Sequence, residues 1–285
     1  MSELMTDCVR RLERAGVSEA LLSVEWIVRD VLRLSRADLF LSRSMSVDPL
    51  KASEIVALVE RRAGGEPVQY VVGYTEFFGI RIRVGPSVLI PRPETEELVE
   101  RCLERIGDGV GVRVLDVGTG SGCIAIAIKK LRPRAEVFAL DLSSDALEVA
   151  RLNARENGVE VGYFLADITN PVESGEIGAP FDLIVFNPPY IPLAERERLQ
   201  PEVREFEPAE ALFADDDGLG VFDRSLSTIY ALAADGGDVL FEIHSPTAHR
   251  FASRLGAAGF VDIKLERDLL DRDRFLSGKK ATSTR

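Results

Sequence analysis

Histidine, cysteine and positive charge are all scarce in this chain of 285 residues. The two histidines, His244 and His249, stand five residues apart, a spacing that does not place two ligands on one metal. The three cysteines, Cys8, Cys102 and Cys123, are far apart in sequence and show neither the paired spacing of a zinc site nor a disulfide framework, so reduced thiols are expected. Acidic residues outnumber basic ones by 47 to 35, and the resulting net charge of −12 repels a phosphate backbone, which argues against direct binding of nucleic acid. No apolar run is long enough to cross a bilayer, and the opening MSELMTDCVRRLERAG has neither a signal core nor the acid-poor character of a transit peptide. A cytoplasmic location with no membrane partner is the expectation. Repeats of fixed period and low-complexity segments are missing as well. What remains, with 46% hydrophobic and 29% charged residues, is a globular chain of a length that suits one large domain or two ordinary ones.

Apolar periodicity divides the chain. Over residues 1–72, Leu21, Leu22, Val24, Ile27, Val28, Val31 and Leu32 recur at helical spacings, with Trp26 expected in the same core. Ile55, Val56, Leu58 and Val59 repeat the pattern until Gly64, Gly65 and Pro67 break it. This predicts a small helical N-terminal domain. Over residues 73–90, Ile80, Ile82 and Val84 alternate with Arg81 and Arg83, as in a half-buried strand, and a β-hairpin connector is expected. From residue 91 to 285 the short runs VRVLDV, EVFALD, VGYFLA, FDLIVF and VLFEI alternate with the helical segments CIAIAIKKL and ALEVARLNA. That alternation predicts an α/β fold with a doubly wound, mainly parallel sheet that binds its ligand at the carboxyl ends of the strands.

The first motif falls at such an end. LDVGTGSG closes a strand and opens a helix, and Gly118, Gly120 and Gly122 let a ligand approach the main chain beside amides left free at the helix start. The spacing is not GxGxxG and no lysine follows, so phosphates are not the evident ligand; a neutral or cationic nucleoside suits the loop better. Asp141 ends the next strand, where a carboxylate can accept from both ribose hydroxyls, and adenosine is the favoured ligand. By the same geometry Asp167 either faces the adenine amino group, with Ile168 against the ring, or serves as a structural loop cap. The run Asp215, Asp216, Asp217 reads as a solvated turn.

The second motif is NPPY, residues 187–190, after FDLIVF. Its two prolines fix the backbone and remove two donors, so the carbonyls around them look outward for partners. An amide or aromatic amino nitrogen has a delocalised lone pair and becomes nucleophilic only when acceptors hold its hydrogens. Asn187 supplies one acceptor, the Pro188 carbonyl another, and Tyr190 lies against the flat face of the acceptor group. A methyl carried on a sulfonium opposite then completes a transfer from S-adenosylmethionine.

Several stretches together give a resemblance: GEPVQYVVG, VLIPRPETEELVE, LDVGTGSGCIAIAI, ALDLSSDALEVARLNA, FNPPYIP and EFEPAEALFADDDGL. Across nearly its full length the chain resembles the HemK-type (PrmC) family of peptide chain release factor glutamine methyltransferases. The NPPY tetrapeptide is shared with DNA adenine methyltransferases, whereas the stretch from Pro91 to Glu97 resembles the glutamine-modifying family alone. The resemblance implies a Rossmann-like class I methyltransferase sheet behind a substrate-recognition domain. It implies S-adenosyl-L-methionine as cofactor, S-adenosyl-L-homocysteine as product, and as acceptor the glutamine side-chain amide in the GGQ motif of class I release factors. It assigns Gly118, Thr119, Gly120, Ser121, Gly122, Asp141 and Asn187 to the cofactor, and Asn187, Pro188, Pro189 and Tyr190 to the glutamine. The chain departs from the family near Glu242, where a glycine usually follows the strand-ending glutamate and a glutamine a few residues later. Here His244 and a SPTAH run stand instead. Two other readings compete: a nucleic-acid amino methyltransferase with the same NPPY geometry, and a cofactor-binding module without catalysis.

Overall fold

The computed structural model describes residues 1–285 except 43, 173, 174, 176, 216 and 283–285. Two compact units emerge, Met1–Tyr74 with Leu199–Phe206, and Thr75–Arg198 with Glu207–Arg285.

The first unit is helical: α1 (Ser2–Arg14), α2 (Ala20–Leu32), α3 (Arg36–Leu41), α4 (Pro49–Ala63) and α5 (Val68–Val72), joined by α9 (Pro201–Phe206) from later in the chain. Local chemistry fixes the helix starts. Ser35 and Asp38 form a reciprocal capping box on α3, and Asp48 accepts from the Leu50 amide at 2.8 Å ahead of Pro49, the first residue of α4. Leu12, Val24, Ile27, Val28, Ile55 and Val59 form the core. The sequence expectation for α2 needs correction at three positions. Leu21 and Leu22 are exposed, while Ser23 is buried, because the stripe through Ala20, Val24, Ile27 and Val31 leaves both leucines off the core face. Trp26, one position off that stripe, is only half-buried, and its ring meets Tyr74 edge-on at 5.8 Å. Arg62 is buried and pairs with Glu202 of α9 at 2.6 Å, which ties the late segment to this unit.

The second unit begins with the hairpin strands β1 (Tyr74–Phe77) and β2 (Ile80–Arg83). Phe78 and Gly79 both have positive φ, as a two-residue hairpin turn of this hand requires. There follow α6 (Pro93–Ile106), β3 (Arg113–Val117), α7 (Cys123–Leu131), β4 (Glu136–Asp141), α8 (Ser144–Asn157), β5 (Gly162–Leu165) and β6 (Phe181–Phe186). After the short strand β7 (Ile191–Pro192), which pairs with β8 (Phe213–Ala214), and α10 (Ala209–Leu212), come α11 (Gly220–Leu232), β9 (Ala233–Glu242), α12 (Ala248–Ala257), β10 (Phe260–Arg267) and β11 (Asp273–Lys280). Seven strands form one sheet in the order β10-β11-β9-β6-β3-β4-β5. β9, β6, β3, β4 and β5 run parallel, and β11 and β10 turn antiparallel at one edge. Every residue from Val114 to Val117 and from Leu183 to Phe186 is buried, the pattern of parallel strands covered on both faces. Phe222 and Ile229 of α11 and Phe251 and Leu255 of α12 join Leu115, Val117, Ile184, Phe186 and Phe241 in the main core.

Candidate functional site

Strand order reverses between β3 and β6, and the register there sets the site. Val117 pairs with Leu140 on one side and Phe186 on the other, and Phe186 pairs with Phe241. The residues that follow or end these four strands, Gly118, Asp141, Asn187 and Glu242, are therefore brought to one edge of the sheet, where doubly wound folds open a crevice. A cleft of ≈ 760 Å³ opens there.

The glycine loop forms one wall. Gly118 has φ 61, and a Cβ there would stand 3.1 Å from the Phe186 ring. Gly120, with φ 54, donates its amide to Asp141 Oδ2 at 2.9 Å, and Gly122, with φ 82, packs so closely on α8 that a Cβ would come within 3.1 Å of Ala150. Gly118, Thr119, Gly120 and Ser121 border the cleft, whereas Gly122 serves the contact with α8. The Asp141 carboxylate is held by two backbone amides, since its second oxygen accepts from Ser143 N at 2.9 Å; burial raises its pKa, against those hydrogen bonds. Asp167 and Ile168 border the same cleft. Asp167 caps its own turn, accepting from the amide and hydroxyl of Thr169 at 2.9 and 2.7 Å, and Ile168 belongs to the main core.

Asn187 and Pro189 line the cleft, while Pro188 is buried and Tyr190 does not border it. Tyr190 instead donates to Glu242 Oε1 at 2.8 Å and stacks on His244, the rings 6.2 Å apart and inclined by 18°. Thr95, in the first turn of α6, donates to Glu242 Oε2 at 2.9 Å and accepts from Asn187 Nδ2 at 3.4 Å. Glu242 is 1% exposed; burial pushes its pKa up, opposed by the Tyr190 and Thr95 hydroxyls and by the charge of Arg274. Burial also raises the Tyr190 phenol well above its ordinary value and lowers His244, whose Nε2 stands 3.5 Å from Glu195. Asp215 and Asp217 pair with Arg224 and Arg250 at 2.7 Å each; Asp216 lies outside the described residues.

Sequence reasoning passed over three buried acids or partners. Thr95 was carried only inside a family-like stretch, with no sign of its reach to Asn187. Asp116, within the glycine motif itself, is fully buried and accepts from Thr119 Oγ1 at 2.7 Å and Ala125 N at 3.2 Å, with its other oxygen unpartnered. Burial pushes its pKa up to about 7 despite those two donors. Glu207, flanked by Phe206 and Pro208, accepts from Ile90 N at 3.1 Å and from Arg92 at 2.5 Å, so the EFEPAE stretch holds the IPRP turn in place. An acid beside a proline and an aromatic was the available signal for its burial.

Known proteins share this architecture. A methyltransferase from Pyrococcus furiosus superposes with a TM-score of 0.53 at 19% identity, covering 72% of this chain and 91% of that one. A 16S rRNA N2 methyltransferase from T. thermophilus gives 0.52 at 19% identity, covering 73% and 49%. These likenesses show a Rossmann-like α/β fold with a doubly wound sheet. The family model described as the PrmC N-terminal domain matches residues 3–73, and the methyltransferase small domain matches residues 95–202. The release factor glutamine methyltransferase of Geobacter sulfurreducens is 38% identical over 94% of this chain and 92% of its own length, and that of Deinococcus radiodurans is 36% identical over 99% of each. The chain belongs to the release factor glutamine methyltransferase family.

Proposed function

We propose that this protein transfers a methyl group from S-adenosyl-L-methionine to the side-chain amide nitrogen of the glutamine in the GGQ motif of class I peptide chain release factors. The observation that carries the reading is that Asn187 and Pro189 share one cleft with Gly118–Ser121 and Asp141, across the β3/β6 switch point. The residues present fit the cofactor. Gly118 and Gly120 border the cleft without side chains at positive φ, and the buried Asp141 carboxylate, already fixed by two amides, keeps lone pairs for hydroxyl donors. Gly118, Thr119, Gly120, Ser121 and Asp141 would hold it, with Asp167 and Ile168 at the adenine end and Asn187 at the methyl end. When bound, the cofactor supplies an electrophilic methyl on a sulfonium and leaves as S-adenosyl-L-homocysteine.

The remaining work belongs to the chain. Asn187 Oδ1 and the Pro188 carbonyl accept the two amide hydrogens of the glutamine, which turns its nitrogen toward the methyl and draws positive charge off it as the bond forms, and the methylated nitrogen then gives up one of those hydrogens as a proton to solvent. Positioning supplies most of the acceleration, since orienting two bound reactants is worth about 7 to 11 kcal/mol and one acceptor about 1 to 3. The helical first unit grips the release factor away from its glutamine, because one side chain offers little surface for selection. A release factor as acceptor supports work in the cytoplasm, and a net charge of −12 disfavours nucleic acid as a direct partner; no helix among the described residues is long and apolar enough to cross a membrane.

Incubation with methyl-labelled cofactor and either an unmethylated release factor or an adenine-containing oligonucleotide tests this. Label on the release factor is expected; label on the oligonucleotide alone would replace the acceptor with nucleic acid.

A further inference from the structure

We infer that Glu242, acting through Thr95, is the positioning group that sets which way the Asn187 side-chain amide points. The inference rests on the reading of Asn187 as an acceptor for the substrate amide. Both oxygens of Glu242 are occupied by hydroxyls, Tyr190 OH at 2.8 Å on one and Thr95 Oγ1 at 2.9 Å on the other, in a site 1% exposed. Thr95 Oγ1 donates to Glu242 Oε2, so its single hydroxyl proton is committed there. The Thr95 oxygen is left with lone pairs alone, and the group facing it, 3.4 Å away, must be a donor. Of the two ends of the Asn187 amide only the NH₂ donates, so that end turns to Thr95 and Oδ1 turns to the cleft.

The consequence is chemical. An asparagine amide rotated by half a turn has nearly the same shape, yet it would present two donors to the glutamine nitrogen's hydrogens and repel them. The relay removes that choice before substrate arrives, as preorganisation demands. The same carboxylate holds the Tyr190 hydroxyl, while His244 covers that ring, so one buried acid orients both polar side chains of NPPY. Thr95 lies in the first turn of α6 and Glu242 at the end of β9, so the relay joins the PRPETE stretch and the strand-ending glutamate to NPPY.

The test has two arms. In ¹⁵N-labelled protein without ligands, the Asn187 side-chain NH₂ pair is assigned by its loss in Asn187→Ala. Its hydrogens are expected to exchange at least about tenfold faster in Thr95→Val, which keeps the shape but loses the hydroxyl, and to stay slow in Thr95→Ser. Glu242→Gln, whose amide can donate to Thr95, is expected to loosen the pair as well. An Asn187 NH₂ pair unchanged in both Thr95→Val and Glu242→Gln overturns the inference. In the second arm, Thr95→Val is expected to lower kcat about ten- to a hundredfold with the cofactor Kd within about twofold of the parent, and Thr95→Ser to recover most of the rate. Added to Asn187→Ala, Thr95→Val is expected to cost little more; full additivity overturns the relay, because it would show Thr95 acting independently of Asn187. A parent protein that leaves release factors unmethylated would sink the proposed acceptor, and the exchange arm would still decide the relay.

Discussion

At the scale of single residues, Asn187 borders the cleft, whereas the buried acids Glu242 and Asp116 do not line it. Replacing Asn187 by alanine removes the acceptor and is expected to slow transfer by at least about ten- to a hundredfold while weakening cofactor binding much less. Single-turnover kinetics with calorimetry of the cofactor check this, and unchanged turnover would make Asn187 a structural residue. Asp141→Ala removes a buried carboxylate from the cleft wall and is expected to raise the cofactor Kd, read by the same calorimetry. Asp116 yields a prediction in pH. Its pKa is raised from 3.8 to about 7 in the fold, so the protonated form is favoured there. The stability it allows is fully present below about pH 4 and is lost as pH climbs through about 7. Asp116→Asn cannot ionise, so the melting temperature of the parent is expected to fall relative to this variant from pH 4 to pH 8; a constant difference would show that Asp116 does not titrate with folding.

At the scale of elements, what was legible in the sequence is what depends on neighbours in the chain. VRVLDV, EVFALD and FDLIVF are short apolar runs between helical segments, and they became β3, β4 and β6; the glycines after β3 and the acid ending β4 stand where the β-turn-α-β pattern put them. The hydrogen bond between Thr95 and Glu242 joins residues 147 apart, and that between Asn187 and Thr95 residues 92 apart; no spacing rule carries such a pair. Misplacement of Leu21, Leu22 and Trp26 has a related cause, since α2 is apolar on more than one face and periodicity alone does not choose among them. The β3-α7 loop also makes an element-scale prediction. Gly122→Ala forces a side chain into a left-handed conformation at φ 82 and against Ala150 at 3.1 Å, so it is expected to cost about 1 to 3 kcal/mol in denaturant unfolding. Unchanged stability would mean that α7 and α8 can move apart freely.

For the whole molecule, one edge of the seven-stranded sheet carries the cleft with Asn187 in its wall, and a net charge of −12 disfavours a phosphate backbone as partner. Binding confined to the folded second unit has a thermodynamic signature: S-adenosylmethionine at a hundred times its Kd should stabilise that unit by about 2.7 kcal/mol. A thermal scan with and without cofactor reads the shift. The most direct test of the function is mass spectrometry of a purified, unmethylated class I release factor after incubation with this protein and S-adenosylmethionine, with the added mass mapped by peptide fragmentation. One methyl on the GGQ glutamine is the predicted result; a release factor left unmodified by cofactor-bound protein, or methylated only at another residue, would contradict it.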